Sequence, residues 1–453
     1  MTLGTLVLWI SIVALILTAV IGLVYKSHKS WLMTFLQNFT GVLFIFSGFV
    51  KAIDPLGTAF KMEQYFAEFE GTLSATWMSF IAPMFPWLSE HSAVFSVIMI
   101  VFEIILGIML LLGAKPKLTA WLFLLLVVFF TILTGFTYLT GYVPSGVNFF
   151  EFGKWGPYVA TNMKVTDCGC FGDFLVLEPK VSFMKDVVLL LPALFFVFRH
   201  KDMHELFSKR FRTALLWVIT FGITLFCMNN FVWNLPPVDF RPFYVGQNIK
   251  ETKEAEMDAQ ANVEIVAYKM TNKASGDVVE IPFDQYMKEF KKYPKEEWEL
   301  EQVKSEPAIK STKISDFELS NLAGEDATEE LLGNPEYNFL IVSYKIPFEL
   351  EQETISVQDT MWRMDTTVVE GFKDRFLIER NFDLSEPREE TVDKYIFDSE
   401  IIDRYRAVVN PLIEKAKAGN VQVNIASAYA APKKFEDFKA ATGTDATFYT
   451  GDD

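Results

Sequence analysis

The sequence predicts an α-helical membrane bundle of six spans joined to an α/β domain outside the membrane. Three observations predict it. Residues 1–234 hold five long apolar stretches and one shorter one, close to the ~20 residues a helix needs to cross a bilayer. The 453-residue chain divides sharply in charge, with about 15 Lys/Arg against 13 Asp/Glu before residue 235 and about 26 against 44 after it. Short loops rich in Lys and Arg alternate with longer loops that are acidic or mixed.

The predicted spans are Leu3–Tyr25, Leu32–Ile53, Ala93–Gly113, Leu118–Tyr138, Ser182–Phe198 and Ala214–Trp233. The first lacks the basic leader and small-residue cleavage site of a signal peptide and ends at Lys26, His28 and Lys29, so it reads as a retained helix. Lys26 and Lys29, Lys115 and Lys117, and the run Arg199, Lys201, Lys209, Arg210 and Arg212 mark three loops on one side, predicted to be cytoplasmic. The N-terminus, loops 54–92 and 139–181 and everything after 234 then lie on the other side. This predicts a multi-pass protein of the bacterial inner membrane with both termini periplasmic. Thr58–Glu90 is aromatic, amphipathic and broken by Pro83 and Pro86, which suggests an interfacial helix with Trp77 and Trp87 at headgroup depth.

The acidity of the second half, whose charge of about −18 is offset by about +2 in the first to give the net −16, argues against nucleic acid and against docking on anionic lipid. The expected partners are the bilayer itself and a periplasmic or membrane protein met through the acidic domain. Four histidines, at 28, 91, 200 and 204, form no metal-ligand spacing, and no phosphate loop is present.

Asn234-Leu-Pro-Pro237 ends span six, and Phe240–Tyr244 reads as an extended juxtamembrane arm. Val263–Met270 and Val278–Ile281 around Asn272–Asp277 predict a β-hairpin, followed by a helix at Phe283–Lys292, a strand at Trp298–Val303 and a connector at Pro307–Lys313. Phe339–Tyr344 and Val421–Ala428 read as buried strands, Asp403–Ala418 and Pro432–Thr442 as helices. Between them, 347–402 is charged and polar, with helical pieces expected around Val368–Arg380.

The pointed chemistry lies in Asp167-Cys-Gly-Cys-Phe-Gly-Asp173, just before span five. A disulfide between Cys168 and Cys170 would be strained and oxidising, with Gly169 easing the turn. A redox switch and a structural staple both fit these residues. Cys227, in an apolar helix, reads as packing. Glu103, about 11 residues or roughly 16 Å into span three, should face the bundle interior, as a proton-relay or quinone-contacting group or as one half of a helix–helix hydrogen bond. Lys51 and Asp54 close span two, and Lys185 and Asp186 open span five. With Asp167 and Asp173 they could form one polar cluster level with the cysteines, or serve as interfacial anchors.

Phe44-Ile-Phe-Ser-Gly-Phe-Val-Lys-Ala-Ile-Asp-Pro55, Phe102-Glu-Ile-Ile-Leu-Gly107 and the Asp167–Asp173 loop before Lys185-Asp186 together resemble the DoxX-type four-helix membrane family. More narrowly they resemble its methylamine-utilisation MauE-like branch, in the long Bacteroidota form. The resemblance covers spans two to five. It implies a division into 1–31 (extra helix and basic loop), 32–199 (four-helix domain), 200–234 (basic loop and sixth span), 235–335 (hairpin-containing segment) and 336–453 (thioredoxin-like α/β half-domain with insertion 347–402). It further implies Cys168 and Cys170 as a redox pair, Glu103 as the family-like intramembrane acid and a quinone as cofactor. The outer half is similar to a thioredoxin fold, yet after its first strand Tyr344–Glu349 holds no Cys-x-x-Cys, so dithiol exchange is not expected there. The second half of such a fold should follow Phe448–Asp453, so either a longer chain or a partner-completed domain is expected. Two functions are therefore weighed. One is a membrane thiol–disulfide component linking a periplasmic client to the quinone pool, the other a non-enzymatic anchoring subunit of an envelope complex. A transporter is third.

Overall fold

The computed structural model describes residues 2–165, 169–230, 236–273, 275–343, 346–368, 376–428 and 431–451. It divides into two compact units, Met1–Tyr244 and Val245–Asp453.

The first unit contains, among the described residues, six helices long and apolar enough to span a membrane. They are α1 (Leu3–Ala19, widening into a π-helical turn over Val20–Val24), α2 (Trp31–Ile53), α5 (Ser92–Leu112), α6 (Pro116–Thr140), α7 (Pro179–Arg199) and α8 (Lys209–Asn229). Each expected span falls on one of these helices. The stretch between α2 and α5 forms α3 (Pro55–Ser74) and α4 (Met84–Glu90), joined by turns over 75–83; Pro83 is the N-cap of α4 and Pro86 lies in its first turn, where a missing N–H breaks no helical bond. Trp77 and Trp87 of this stretch are exposed.

Close backbone approach sets the α2–α5 seam. A methyl on Gly41 would sit 2.9 Å from the Gly107 carbonyl oxygen, and one on Gly107 would sit 2.7 Å from that of Gly41. Small residues of this kind let spans pack by dispersion where lipid supplies no hydrophobic drive. Phe44, Phe123 and Phe196, from α2, α6 and α7, fill the centre behind this seam, with ring centroids 4.9 and 5.6 Å apart.

The three basic loops meet at one end of the bundle. The Lys29 ammonium donates to the Lys201 carbonyl at 2.9 Å. Segment 203–212 clasps the end of α5, whose last four carbonyls have no partner within the helix. Gln37 Nε2 donates to Leu110 O (3.2 Å), His204 Nε2 to Leu111 O (2.9 Å), the Leu206 amide to Leu112 O (3.0 Å) and Arg212 Nη1 to Gly113 O (3.2 Å). Gly113 lies at φ +63°, and a methyl there would meet the His204 carbonyl oxygen at 1.7 Å.

The second unit begins with α9 (Ile249–Ala261), whose Glu256 carboxylate is buried and accepts from the Thr312 amide and hydroxyl and the Ser315 amide. The expected hairpin is β1 (Ile265–Asn272) and β2 (Val278–Pro282), and β3 (Trp298–Lys304) adds to the other edge of β1 after α10 (Phe283–Glu289). After α11 (Thr328–Leu332), β4 (Asn338–Val342) starts a parallel sheet. The expected helical pieces around Val368–Arg380 do not form. The chain runs instead as β5 (Phe348–Val357), β6 (Thr360–Val368), β7 (Phe376–Leu384) and β8 (Arg388–Phe397), with 369–375 outside the described residues. β5 pairs with β8 and β6 with β7, both antiparallel, so the insertion is one long two-stranded ribbon. Its distal half alternates cleanly. Trp362, Met364, Ile378, Phe382 and Leu384 share one exposed face, with Arg380 stacked 4.0 Å over Trp362. Arg363, Asp365 and Asn381 bond to one another on the opposite face.

The helix expected at Asp403–Ala418 is α12 (Ser399–Arg404), a π-helical turn (Tyr405–Val409) and α13 (Asn410–Ala418), followed by β9 (Gln422–Ser427), α14 (Pro432–Thr442) and β10 (Thr447–Thr450). The sheet order is β10-β9-β4, all parallel, with Leu340 opposite Asn424 and Phe448 opposite Ile425. Phe435, Phe438, Phe448 and Ile425 are fully buried in its core. Adjacent parallel β4 and β9, with Ile413 of α13 in the same core, match the arrangement expected from sequence.

Candidate functional site: buried ion pairs against the Cys-Gly-Cys loop

The bundle end opposite the basic loops holds most of the residues singled out from sequence, but in two groups rather than one cluster. Thr166, Asp167 and Cys168 lie outside the described residues.

The first group is buried. Lys51, in the last turn of α2, places its ammonium 2.8 Å from Glu103 of α5, and their side chains are only 7% and 2% exposed. Lys185 and Asp186, at the start of α7, pair at 2.6 Å, and the Thr134 hydroxyl of α6 donates to the other Asp186 oxygen at 3.0 Å. Helix α6 joins the two pairs, because Phe130 and Thr134, one turn apart, share a face. The Lys51 ammonium lies 5.2 Å over the Phe130 ring. Among the described residues, all four central helices thus contribute to a group that holds Lys51, Lys185, Glu103 and Asp186, two cations and two carboxylates. A lone buried charge would be costly in this setting, and pairing is what makes it tolerable.

Glu103 is nearer the end of the bundle than a count along its own helix implies. A methyl on Gly48 would touch Ile104 (2.6 Å to its side chain) and the Ile100 carbonyl, so Glu103 is about level with Gly48. That is five residues, or about 7 Å, inside the end of α2. The count of roughly 16 Å from Ala93 overstates the depth because the first turns of α5 run beside α3, with the Ser96 hydroxyl donating to the Pro55 carbonyl at 2.7 Å.

The Cys-Gly-Cys loop is seated on this group. The Ser47 hydroxyl donates to the Cys170 carbonyl at 2.7 Å, and Ser47 lies one turn from Lys51 on the same face of α2. Phe171 is buried, with the Lys185 ammonium 5.6 Å over its ring. Phe46 contacts both Phe171 and Phe174, at 6.4 and 5.4 Å between centroids. Gly169 takes φ +60°, the left-handed turn expected of it, and the Lys61 stem lies against it, 3.3 Å from where a β-carbon would stand. Cys170 itself is half-buried. Cys227 is fully buried among Ala52, Val97, Ile100 and Ile104, as its packing role requires.

The second group lies at the surface of the loop. Asp54 caps α3, accepting from the Gly57 amide at 3.2 Å. Both Asp54 and Asp173 lie within electrostatic reach of the Arg241 guanidinium. Arg241 is bidentate to Asp239, at 2.8 and 2.7 Å, and holds that carboxyl below its usual range. The arm expected to be extended is therefore bent, and Phe240 meets Phe174 edge-to-face at 5.2 Å. Sequence reading missed Ser47, Thr134, Lys61 and Arg241. The Ser47–Lys51 and Phe130–Thr134 spacings were the available signals, since each repeats one helical turn.

Residues 29–145 match the family model described as methylamine utilisation protein MauE. Over these residues the chain is MauE-like. Within the match lie α2 to α6, and hence Ser47, Lys51, Glu103, Phe130 and Thr134 of the MauE-like region. The Cys loop, Lys185 and Asp186 follow it. No curated protein and no solved structure matches the chain.

Proposed function

We propose that this MauE-like protein is a thiol–disulfide component of the bacterial inner membrane, with Cys168 and Cys170 as its redox pair. The single observation that carries this reading is the seating of Cys170: its carbonyl is tied to Ser47, and its neighbour Phe171 lies under Lys185, over a buried set of paired ammonium and carboxylate groups. A client thiolate attacks the loop disulfide to form a mixed disulfide and free one loop thiolate; a second client thiolate then displaces the other loop sulfur, leaving the client as a disulfide and the loop, with two protons taken up, as a dithiol. Reoxidation of that dithiol releases two electrons and two protons to a membrane quinone, which becomes the quinol. Glu103 and Asp186 are the carboxylates nearest that route.

The convergence of the three basic loops at one end supports placing the Cys loop, both termini and the acidic unit in the periplasm. Single cysteines at Ser27, Ser208 and Ser275, in a background without native cysteines, test this. An impermeant thiol reagent should label only position 275 in intact spheroplasts, and labelling at 208 would overturn the topology. The three parallel strands support a thioredoxin-like half-domain for the second unit, without a redox motif of its own.

Alkylation trapping in cells tests the function itself. The pair should be oxidised in respiring cells and turn reduced when quinone is depleted. A pair oxidised in every condition is a staple. A second reading, a membrane-anchored scaffold subunit, is favoured by the exposed apolar face of the distal ribbon around Trp362 and Phe382. Permanently free thiols would leave that reading in place.

A further inference from the structure

The segment that leaves α8 is more than a tether within the first unit. It turns at Asp239, where the Arg241 amide and guanidinium both donate to the Asp239 carboxylate, at 3.0 Å for the amide. This turn presents Phe240 to Phe174 and brings the guanidinium to Asp54 and Asp173. Phe174 belongs to the short helical turn Gly172–Phe174 that closes the Cys-Gly-Cys loop, and continues through Phe46 to Phe171. The loop is thus held from two directions: Ser47 and Lys185 on the bundle side, Phe240 and Arg241 on the other.

We infer that Phe240 and Arg241 are positioning residues for the Cys-Gly-Cys loop, pinning its Asp173–Phe174 end and so restraining the approach of another sulfur or an alkylating agent to Cys170. The inference rests on the reading of that loop as the reactive site. One ring contact and one cation among three aspartates, Asp54, Asp173 and Asp239, hold a loop that ends two residues from Cys170's neighbour Phe171. Asp54 and Asp173 are reached through space and ask only for a cation at 241, whereas the fork to Asp239 that sets the turn needs the guanidinium.

The test uses the reduced full-length protein in detergent, following alkylation of Cys170 by mass spectrometry, with Cys227 as an internal reference. Phe240→Ala and Arg241→Gln should each raise the Cys170 rate about threefold to tenfold while Cys227 stays protected, and Arg241→Lys, which keeps the charge but loses the fork to Asp239, should fall between the native rate and Arg241→Gln. Asp173→Asn should raise the rate less than Arg241→Gln, because it leaves the Asp239 fork in place, and the double variant should not exceed Arg241→Gln alone. Unchanged Cys170 rates in both Phe240→Ala and Arg241→Gln would overturn the inference. So would Cys227 becoming labelled in step with Cys170, which marks general loosening of the bundle. The rates are read without any client or quinone, so a pair that fails to cycle in cells sinks the redox function and leaves the positioning result standing.

Discussion

The two ends of the bundle bury polar groups by opposite means. At the basic end, segment 203–212 and Gln37 satisfy the carbonyls of Leu110, Leu111 and Leu112 of α5 and of Gly113 just beyond it, and Glu205, which pairs with Arg212 at 2.7 Å and Lys29 at 4.0 Å, has its carboxylate half-exposed. At the loop end, side-chain charges satisfy one another, Lys51 with Glu103 and Lys185 with Asp186. The first arrangement caps a helix and asks only for geometry. The second keeps full charges out of water, which stability alone does not favour, since apolar replacements of a buried pair are often neutral or better. The difference teaches where function is to be sought: a pair kept at such a site, against a cysteine loop, is explained by chemistry more readily than by folding.

The sharpest way to break the comparison is to unpair one charge. Lys51→Met should destabilise the protein by about 3–5 kcal/mol in thermal unfolding in detergent, and Glu103→Gln similarly, because each leaves an uncompensated charge. The double variant Lys51→Met/Glu103→Gln should regain most of that loss. Additive losses would mean that the two groups do not act as a pair.

At the basic end, Gly113→Ala should cost on the order of 2–3 kcal/mol in the same assay, since a methyl at φ +63° collides with the His204 carbonyl. A smaller change, Thr134→Val, removes one hydrogen bond to a buried carboxylate and should cost about 1.5–3 kcal/mol. The Lys51 variants should exceed both.

The smallest effect separates the ends by pH. Burial lowers the His204 pKa, opposed by its bond to Leu111 and aided by Lys29. Its Nε2 donates to Leu111, and its buried Nδ1 has no hydrogen-bond partner that could accept a second proton. The unfolded chain therefore binds the proton more readily than the native one. The His204 contribution is intact above the ordinary histidine value near 6.5 and is lost as pH falls below it. Thermal stability should fall between about pH 7 and 5, and His204→Gln should flatten that fall. An equal slope in both proteins would remove His204 as the cause.

Much of this was legible in the sequence. Spans are fixed by runs of about 20 apolar residues, and every one was placed, because lipid forces backbone polar groups to pair within a helix. The hairpin at Asn272–Asp277 and the βαβ pattern from Phe339 to Pro432 were equally readable from turn and period. Lys51, Glu103, Lys185 and Asp186 stood out as charges in apolar helices, but who pairs with whom depends on the α2–α5 register, which Gly41 and Gly107 set through space. The ribbon was missed because Glu349, Glu351, Glu353, Glu389 and Glu390 interrupt its Phe, Ile, Val and Thr residues, and β5 and β8 are exposed almost throughout, so no buried face marks them as strands. Arg241 was missed because it acts on Asp173 from far along the chain.

The ribbon also bears on the order in which the second unit assembles. Strands β4 and β9 are hydrogen-bonded neighbours, yet about 80 residues separate Val342 from Gln422, and β5 to β8 occupy some 50 of them. Bringing the ends of an 80-residue loop together costs roughly 1 kcal/mol more entropy than closing one of 30. Antiparallel zippering is local and takes microseconds, whereas parallel pairing of distant strands is slow. Once zipped, the ribbon shortens the free chain between β4 and β9 to the smaller value. A sequence insertion that lengthens the polypeptide thus also works as a chain-shortening device, delivering two distant strands to each other before their shared core exists.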